Sequence, residues 1–304
     1  MKKMENRVTA EGYFYKHDLA KRVAGPNAKN PGAPYISGTL DIATNNDITN
    51  IVSFHYTYVT PVSASGKQNP TYKILSDIID GKYKSVMQDG KQVATKFSIN
   101  SSVGVNDFYG RQGELVSSKI NDGGFITIVN DLNDNENERC MFYTDMLITG
   151  TKLVEADEER NLPEKLIVKG YVFNWRNEML PVEYAAITPK SIEYFQNQAP
   201  TEKKPLFTRV WGNEMSLVYK VSKTEENAFG ESKVVETERH RKEYMLTGAN
   251  PEPYEYDDES TITVDEIKKA LATREIKLAA DKKRREEYMA SKGARPATNL
   301  GFNF

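Results

Sequence analysis

Two segments of this 304-residue chain repeat one pattern, and the repeat limits the fold more than any other feature of the sequence. Ile36-Ser37-Gly38-Thr39-Leu40-Asp41-Ile42-Ala43 lies over Val168-Lys169-Gly170-Tyr171-Val172-Phe173-Asn174-Trp175, with glycine on glycine. Further on, Phe54 to Pro61 lies over Val182 to Pro189, with Tyr56 on Tyr184 and Thr60-Pro61 on Thr188-Pro189. Gly38 to Pro61 is 23 positions and Gly170 to Pro189 is 19, so the first copy is expected to have the longer hairpin. Asn45-Asn46-Asp47 supplies its turn. A short β-rich run that reaches a glycine precedes each copy, Arg7 to Tyr13 and Asp145 to Gly150. Glycine is the residue expected where a strand bends or bulges.

The rest of each copy follows the same order. Asn69-Pro70 opens a run with Ile74, Leu75, Ile78 and Ile79 on one side, and Thr188-Pro189 opens one with Ile192 and Phe195. A capping side chain followed by proline is a sound helix start. Two β-like runs follow each helix: Val93–Val105 and Gly113–Ile128 in the first copy, Leu206–Val221 and Lys233–Leu246 in the second. Each copy therefore reads β-β-β-α-β-β. The expected fold class is mostly β with a few helices: two tandem OB-fold-like five-stranded barrels plus a charged C-terminal α-helix. Two β-sandwiches with helical crossovers are the rival. The expected boundaries are 1–130 for the first barrel, 131–142 for a linker, 143–258 for the second barrel, and 259–304 for the helix and tail. The polar run Asn130 to Arg139 marks the linker. Thr263-Val264-Asp265-Glu266 is a capping box, so a helix should start there and run to about Ser291. Its stripe of Val264, Ile267, Leu271 and Leu278 ends at the charged run Asp281 to Glu287, so the first half is expected to dock and the second to project. Lys292 to Phe304 is expected to be a flexible tail.

Charge is unevenly spread. Residues 1–130 carry 15 Lys/Arg and 11 Asp/Glu, residues 131–260 carry 16 and 26, and residues 261–304 carry 10 and 6. The basic front could attract a polyanion. The single cysteine, Cys140, cannot form an internal disulfide, no apolar run follows the charged start, and no stretch reaches the ~18 apolar residues of a membrane span. A cytoplasmic protein without membrane contact is expected.

Most catalytic chemistry lacks its residues. His17, His55 and His240 have no partner at metal-ligand spacing, and the Asp131 to Asn135 run lacks the glycine and the final glutamate of a calcium loop. There is no phosphate-cradling glycine loop and no nucleophile elbow. The expectation is no catalytic residue, no metal and no cofactor. An enzyme assembled from distant residues is the minor alternative.

Binding an unpaired strand needs flat rings for bases and cations for phosphates. If Val168, Gly170 and Val172 face the core, then Lys169, Tyr171, Phe173 and Trp175 face outward, with Arg176 at the end of the row. Either these rings form a base-stacking platform, or the other barrel or the C-terminal helix covers them. Phe54, Tyr56 and Tyr58 are better read as core. The first copy offers Tyr13, Tyr15 and Lys16 on its first strand, Arg22 and Lys67 in flanking loops, Tyr35 before the second strand, and Tyr109 with Arg111 in a late hairpin.

Asn6-Arg7-Val8 opening a strand, Gly38 to Asn45 forming the next, a polar hairpin, an aromatic third strand and a helix before two final strands resemble bacterial and phage single-stranded DNA-binding proteins over residues 6–128. The resemblance implies an OB-fold and sequence-independent binding of single strands in DNA replication or recombination. It also implies partners from those processes reached through the C-terminal helix or tail, and it leaves self-association open. Members usually carry one barrel per chain and often end in an acidic tip, whereas this chain ends Asn299-Leu300-Gly301-Phe302-Asn303-Phe304. The doubled architecture is more like a phage-encoded relative. A protein–protein module of a virion or defence system, without nucleic-acid binding, is the alternative.

Overall fold

The computed structural model describes residues 4–26, 28–63, 65–110, 113–159, 162–225, 233–255 and 262–293, with the side chains of 217–241 and 291–293 outside that description. Arg111 and the tail from residue 294 onward therefore lie outside the described residues.

In chain order the elements are β1 (Asn6–His17), β2 (Ala20–Val23), β3 (Pro34–Ala43), β4 (Ile51–Val59), α1 (Pro70–Ile79), α2 (Val86–Asp89), β5 (Lys96–Ser101), β6 (Val103–Tyr109), β7 (Leu115–Asp122) and β8 (Phe125–Val129). There follow β9 (Cys140–Val154), β10 (Lys165–Phe173), β11 (Met179–Ala186), α3 (Pro189–Gln198), β12 (Leu206–Glu225), β13 (Lys233–Ala249) and α4 (Val264–Gly293). The helices start where side-chain caps stand. Asn69 Oδ1 accepts from Thr71 N at 3.1 Å, Thr188 Oγ1 from Ser191 N at 3.2 Å, and Thr263 Oγ1 from Glu266 N at 3.2 Å.

The pairings close two rings of the same circuit. In the second ring β9 pairs β10, β10 pairs β11, β11 runs parallel to β13, β13 pairs β12, and β12 returns to β9. In the first ring β1 pairs β3, β3 pairs β4, and β4 runs parallel to β7. There the fourth strand is broken into β5 and β6 at Ser102, and the fifth into β7 and β8 at Gly123-Gly124. β6 pairs β7 and β5 pairs β8, and β5 also pairs β1, which closes the ring. Each circuit is the 1-2-3-5-4-1 order of a closed five-stranded barrel, with a helix between the third and fourth strands.

The repeated glycines have one cause. Both second strands bulge at the glycine, between Ile36 and Gly38 against the third strand β4 and between Lys169 and Gly170 against the first strand β9. A methyl group at Gly38 would press on the Asp18 carbonyl, and one at Gly170 on the Leu147 carbonyl. Gly38 also has φ +133°, a conformation other residues rarely adopt.

The rings are joined by their first strands. β1 pairs β9 antiparallel from Asn6↔Thr144 to Ala10↔Cys140, so one 13-stranded sheet runs through the molecule. A single apolar core follows it, from Val8, Ile42, Phe54 and Phe97 on one side to Phe142, Val168, Tyr184 and Tyr244 on the other. The polar segment before β9 is fastened as well. Arg139 is buried and donates to the Thr44 carbonyl at 3.4 Å and to Asn46 Oδ1 at 3.0 Å.

The hairpin of the fourth and fifth strands reaches beyond each ring. β12 leaves its pairing with β9 at Asn213, while β12 and β13 stay paired out to Glu225↔Lys233. Its base crosses the first ring: Asn50 bonds Glu214 O and Ser216 N, and Lys242 donates to Ser53 Oγ. The β6–β7 hairpin reaches the other way, where Lys119 donates to the Glu183 carbonyl of β11. At the crossing three buried polar side chains meet. Asn121 Nδ2 donates to Glu214 Oε2 at 2.6 Å, and Tyr244 Oη donates to Asn121 Oδ1 at 2.7 Å.

Burial holds the Glu214 carboxyl above the usual carboxylate range. A raised folded-state value favours the folded protein below the unfolded pKa, and that advantage is lost as pH rises through the folded value. Glu214→Gln should therefore remove this part of the pH dependence. Its melting temperature relative to wild type should rise from pH 5 to pH 9. Glu214→Ala should lose about 2–4 kcal/mol by opening a cavity and stranding Asn121. Thermal melts across that pH range check both.

Candidate functional site

OB barrels take oligonucleotides and oligosaccharides on the outer face of strands two and three, between the loops that flank it. In the second ring that face is β10 with β11. Alternation turns Val168 and Val172 into the core and Ile167, Lys169 and Tyr171 outward. Pro181, Glu183 and Ala185 from β11 complete the floor of a groove of about 500 Å³. The first ring supplies one wall, with Ser117 and Lys119 of β7, and β13 supplies Lys242, Glu243 and Tyr244.

The groove is cationic because of how its charges pair. Glu243 and Lys165 are both buried and pair with each other. Lys169 lies 2.9 Å from Glu183, with both side chains about half exposed. Lys119, Lys169 and Lys242 thus face Glu183, the other carboxylate on the groove. Lys119 Nζ stands 4.5 Å from the Tyr244 ring centre and 5.2 Å from that of Tyr184. Both hydroxyls are held un-ionised, chiefly by burial, so these rings bring no negative charge to Lys119 at neutral pH.

The first ring presents a second face on β3 and β4. Tyr35 and Tyr58 pack together with ring centres 4.6 Å apart and planes tilted by 33°, and Arg22 of β2 stands in register with Tyr35. Next to them Thr39, His55 and Thr57 line a smaller hollow with Asn106 and Ile120. Burial lowers the His55 pKa, which keeps the imidazole neutral at pH 7. Lys242 borders both faces, through the groove on one side and Ser53 on the other.

The sequence-derived residues separate into distinct places. Lys169 and Tyr171 enter the groove, and Arg22 and Tyr35 enter the first-ring row. Tyr58, read from sequence as core, is 45% exposed and joins that row, while Phe54 and Tyr56 are buried as expected. Tyr13 lies elsewhere on β1, with Lys91 Nζ 5.3 Å from its ring centre. Tyr15 is half-buried, Lys16 is exposed 4.0 Å from Asp41, and Lys67 is exposed in the 60–69 turn. Tyr109 Oη donates to the Leu278 carbonyl at 2.9 Å, so its hydroxyl fastens α4.

One expectation is corrected outright. Phe173 is 0% exposed and offers no face to any ligand. It sits with Met4, Leu147, Met179 and Phe207 beneath Ile262 and Ile267 at the start of α4. The helix divides the outward row of β10: Lys169 and Tyr171 stay in the groove, Phe173 is roofed, and Trp175 emerges beyond it at 72% exposure with Arg176 over its ring at 4.4 Å. The first half of α4 docks, with Arg274 paired to Asp107 at 2.9 Å, and the second half does not simply project, because Arg285 donates to the Gly110 carbonyl.

Sequence reasoning missed Lys119 and Lys242. Each is an unremarkable lysine in its own strand, and only the crossing of the hairpins brings it to the other ring. Among the described residues no group of three or more His, Cys, Asp or Glu side chains is placed to hold a metal ion.

A family model described as YorF matches residues 5–284. No curated protein matches the chain. Among solved structures, a deletion mutant of the single-stranded DNA-binding protein from Thermus aquaticus is similar at a TM-score of 0.45 and 9% identity, covering 84% of this chain and 98% of that one.

Phe173→Ala should cost about 3–5 kcal/mol of stability, as a large buried ring does, and loosen α4. Trp175→Ala should leave the melting temperature within about 1 °C, as for a surface substitution. Calorimetry on the two variants separates the roofed ring from the exposed one.

Proposed function

This chain belongs to the YorF family, and we propose that it binds single-stranded DNA without regard to sequence. The observation that carries the reading is the β10–β11 groove, where Lys119, Lys169 and Lys242 converge from three strands beside the half-buried ring of Tyr171. A cationic track along a ring-bearing face is the chemistry that holds an unpaired strand: phosphates take the lysines and a base takes the tyrosine. The first-ring row of Arg22, Tyr35 and Tyr58 repeats that combination, and Lys242 lies between the two faces. Tyr13, Tyr15, Lys16 and Lys67 serve as peripheral contacts.

The resemblance of residues 6–128 to bacterial and phage single-strand binders supports a role in replication or recombination of a phage genome, in the host cytoplasm. Among the described residues no helix is long and apolar enough to cross a membrane. Replication or recombination proteins are the partners we propose for the C-terminal region, with the exposed outer side of α4 as their contact.

Anisotropy of a labelled oligo-dT should show binding at micromolar protein or tighter in low salt. Affinity should fall with salt on a log–log slope near −2, about −0.7 for each of three phosphate contacts. Lys169→Ala should reduce the steepness by about 0.7, and Tyr171→Ala should cost about 1–3 kcal/mol of binding, with a melting curve to verify the fold. No binding at micromolar protein in low salt sinks the proposal.

A further inference from the structure

Where the two rings join, a second groove of about 460 Å³ opens, and it shares no lining residue with the lysine groove. The start of β1 (Glu5, Arg7), the end of β5 (Asn100 to Ser102), the start of β8 (Phe125) and the turn after β10 (Trp175) line it. Phe125 is 73% exposed and Trp175 72%, the two largest exposures among the described large hydrophobic side chains. They come from different rings of the molecule, yet they open onto one groove.

The walls define what would cover those rings. Asn6 and Asn174 spend their amides on the fold: Asn6 bridges Val103 and Phe173, and Asn174 closes its own turn with Arg176 and Glu178. Asn100, Ser101, Ser102 and Asp122 line the remaining polar wall, and burial raises the Asp122 pKa. Arg7 is held by Glu5 at 3.1 Å with its guanidinium 4.9 Å from the Tyr143 ring centre, and Arg176 lies stacked on Trp175. An apolar peptide would cover the rings but strip water from the amide and hydroxyl wall without replacing it. A nucleobase has both properties needed, a flat π face for the ring and an edge of donors and acceptors for the wall. The neighbouring guanidiniums suit phosphate.

We infer that this seam groove is a second base-stacking site, in which Phe125 and Trp175 each carry an unpaired base. The site rests on the single-strand binding proposed above and extends it. The bound strand then contacts the molecule at two grooves with separate linings.

Trp175 provides its own reporter. Saturating wild-type protein with oligo-dT of about 30 nucleotides, enough to cover two OB barrels, should quench intrinsic fluorescence. Trp175→Ala should abolish the quench, since Trp211 remains in that variant. Trp175→Ala and Phe125→Ala should each weaken the anisotropy-measured affinity about 5- to 100-fold. Both side chains are exposed, so both variants should melt like wild type. Binding by anisotropy with no quench and with unchanged affinity in both variants overturns the seam site and leaves the lysine groove standing. Absence of any binding overturns both. Concentration-dependent self-association that the two substitutions abolish, with DNA affinity unchanged, would assign the groove to a second copy of this chain and also overturn the inference.

Discussion

Five residues of β1, from Asn6 to Ala10, pair with five residues of β9, from Thr144 to Cys140. Nearly everything else about the molecule depends on that ladder. It turns two small rings into one sheet and sets them side by side in opposite sense, so that each throws its long hairpin across the other. Around it the apolar core is continuous, with Val8 from one ring and Phe142 from the other as adjacent partners. Asp145, next to the ladder, is buried and takes a two-pronged hydrogen bond from Arg209 and further bonds from Glu5 N and Tyr254 Oη. Asp145 thereby also fastens Glu5 at the head of β1 and Tyr254 beyond β13.

The crossing of the hairpins has a physical cost and an electrostatic consequence. Burying Asn121, Glu214 and Tyr244 removes polar groups from water, and the mutual hydrogen bonds offset that only when all three are present. In return, the lysines at the hairpin bases stand against the neighbouring ring. Lys119 reaches β11 and Lys242 reaches β4. A single barrel would present its face with its own loops alone. Here each face borrows a cation from the other ring, which explains how a chain of near-zero net charge can carry a basic groove inside its acidic half.

Much of this was legible in the sequence because it rests on local rules. The paired glycines marked the two bulged second strands, since the same backbone approach excludes a side chain at Gly38 and at Gly170. Asn69-Pro70, Thr188-Pro189 and the Thr263 capping box marked three helix starts to the residue. What failed depends on distant segments. Period-two alternation correctly placed Phe173 outside its barrel, but it carries no information about α4, which arrives about ninety residues later and roofs that position. Tyr58 shares a strand face with the buried Phe54 and Tyr56, yet it lies past the bulge near Gly38, where the strand runs off the core. Lys119 and Lys242 have no local signature at all, because their placement follows from the β1–β9 ladder.

Through this ladder and the core around it, the two rings form one cooperative body. Native-state amide hydrogen exchange tests it most directly, because it reads the free energy of opening strand by strand. The amides of Val8, Phe54, Phe142 and Tyr184 should exchange through a common opening of the same free energy, with the same denaturant dependence. Exchange of the first-ring amides at a clearly lower free energy, while those of β9 to β11 stay protected, would contradict it and make the rings two independent barrels that merely touch.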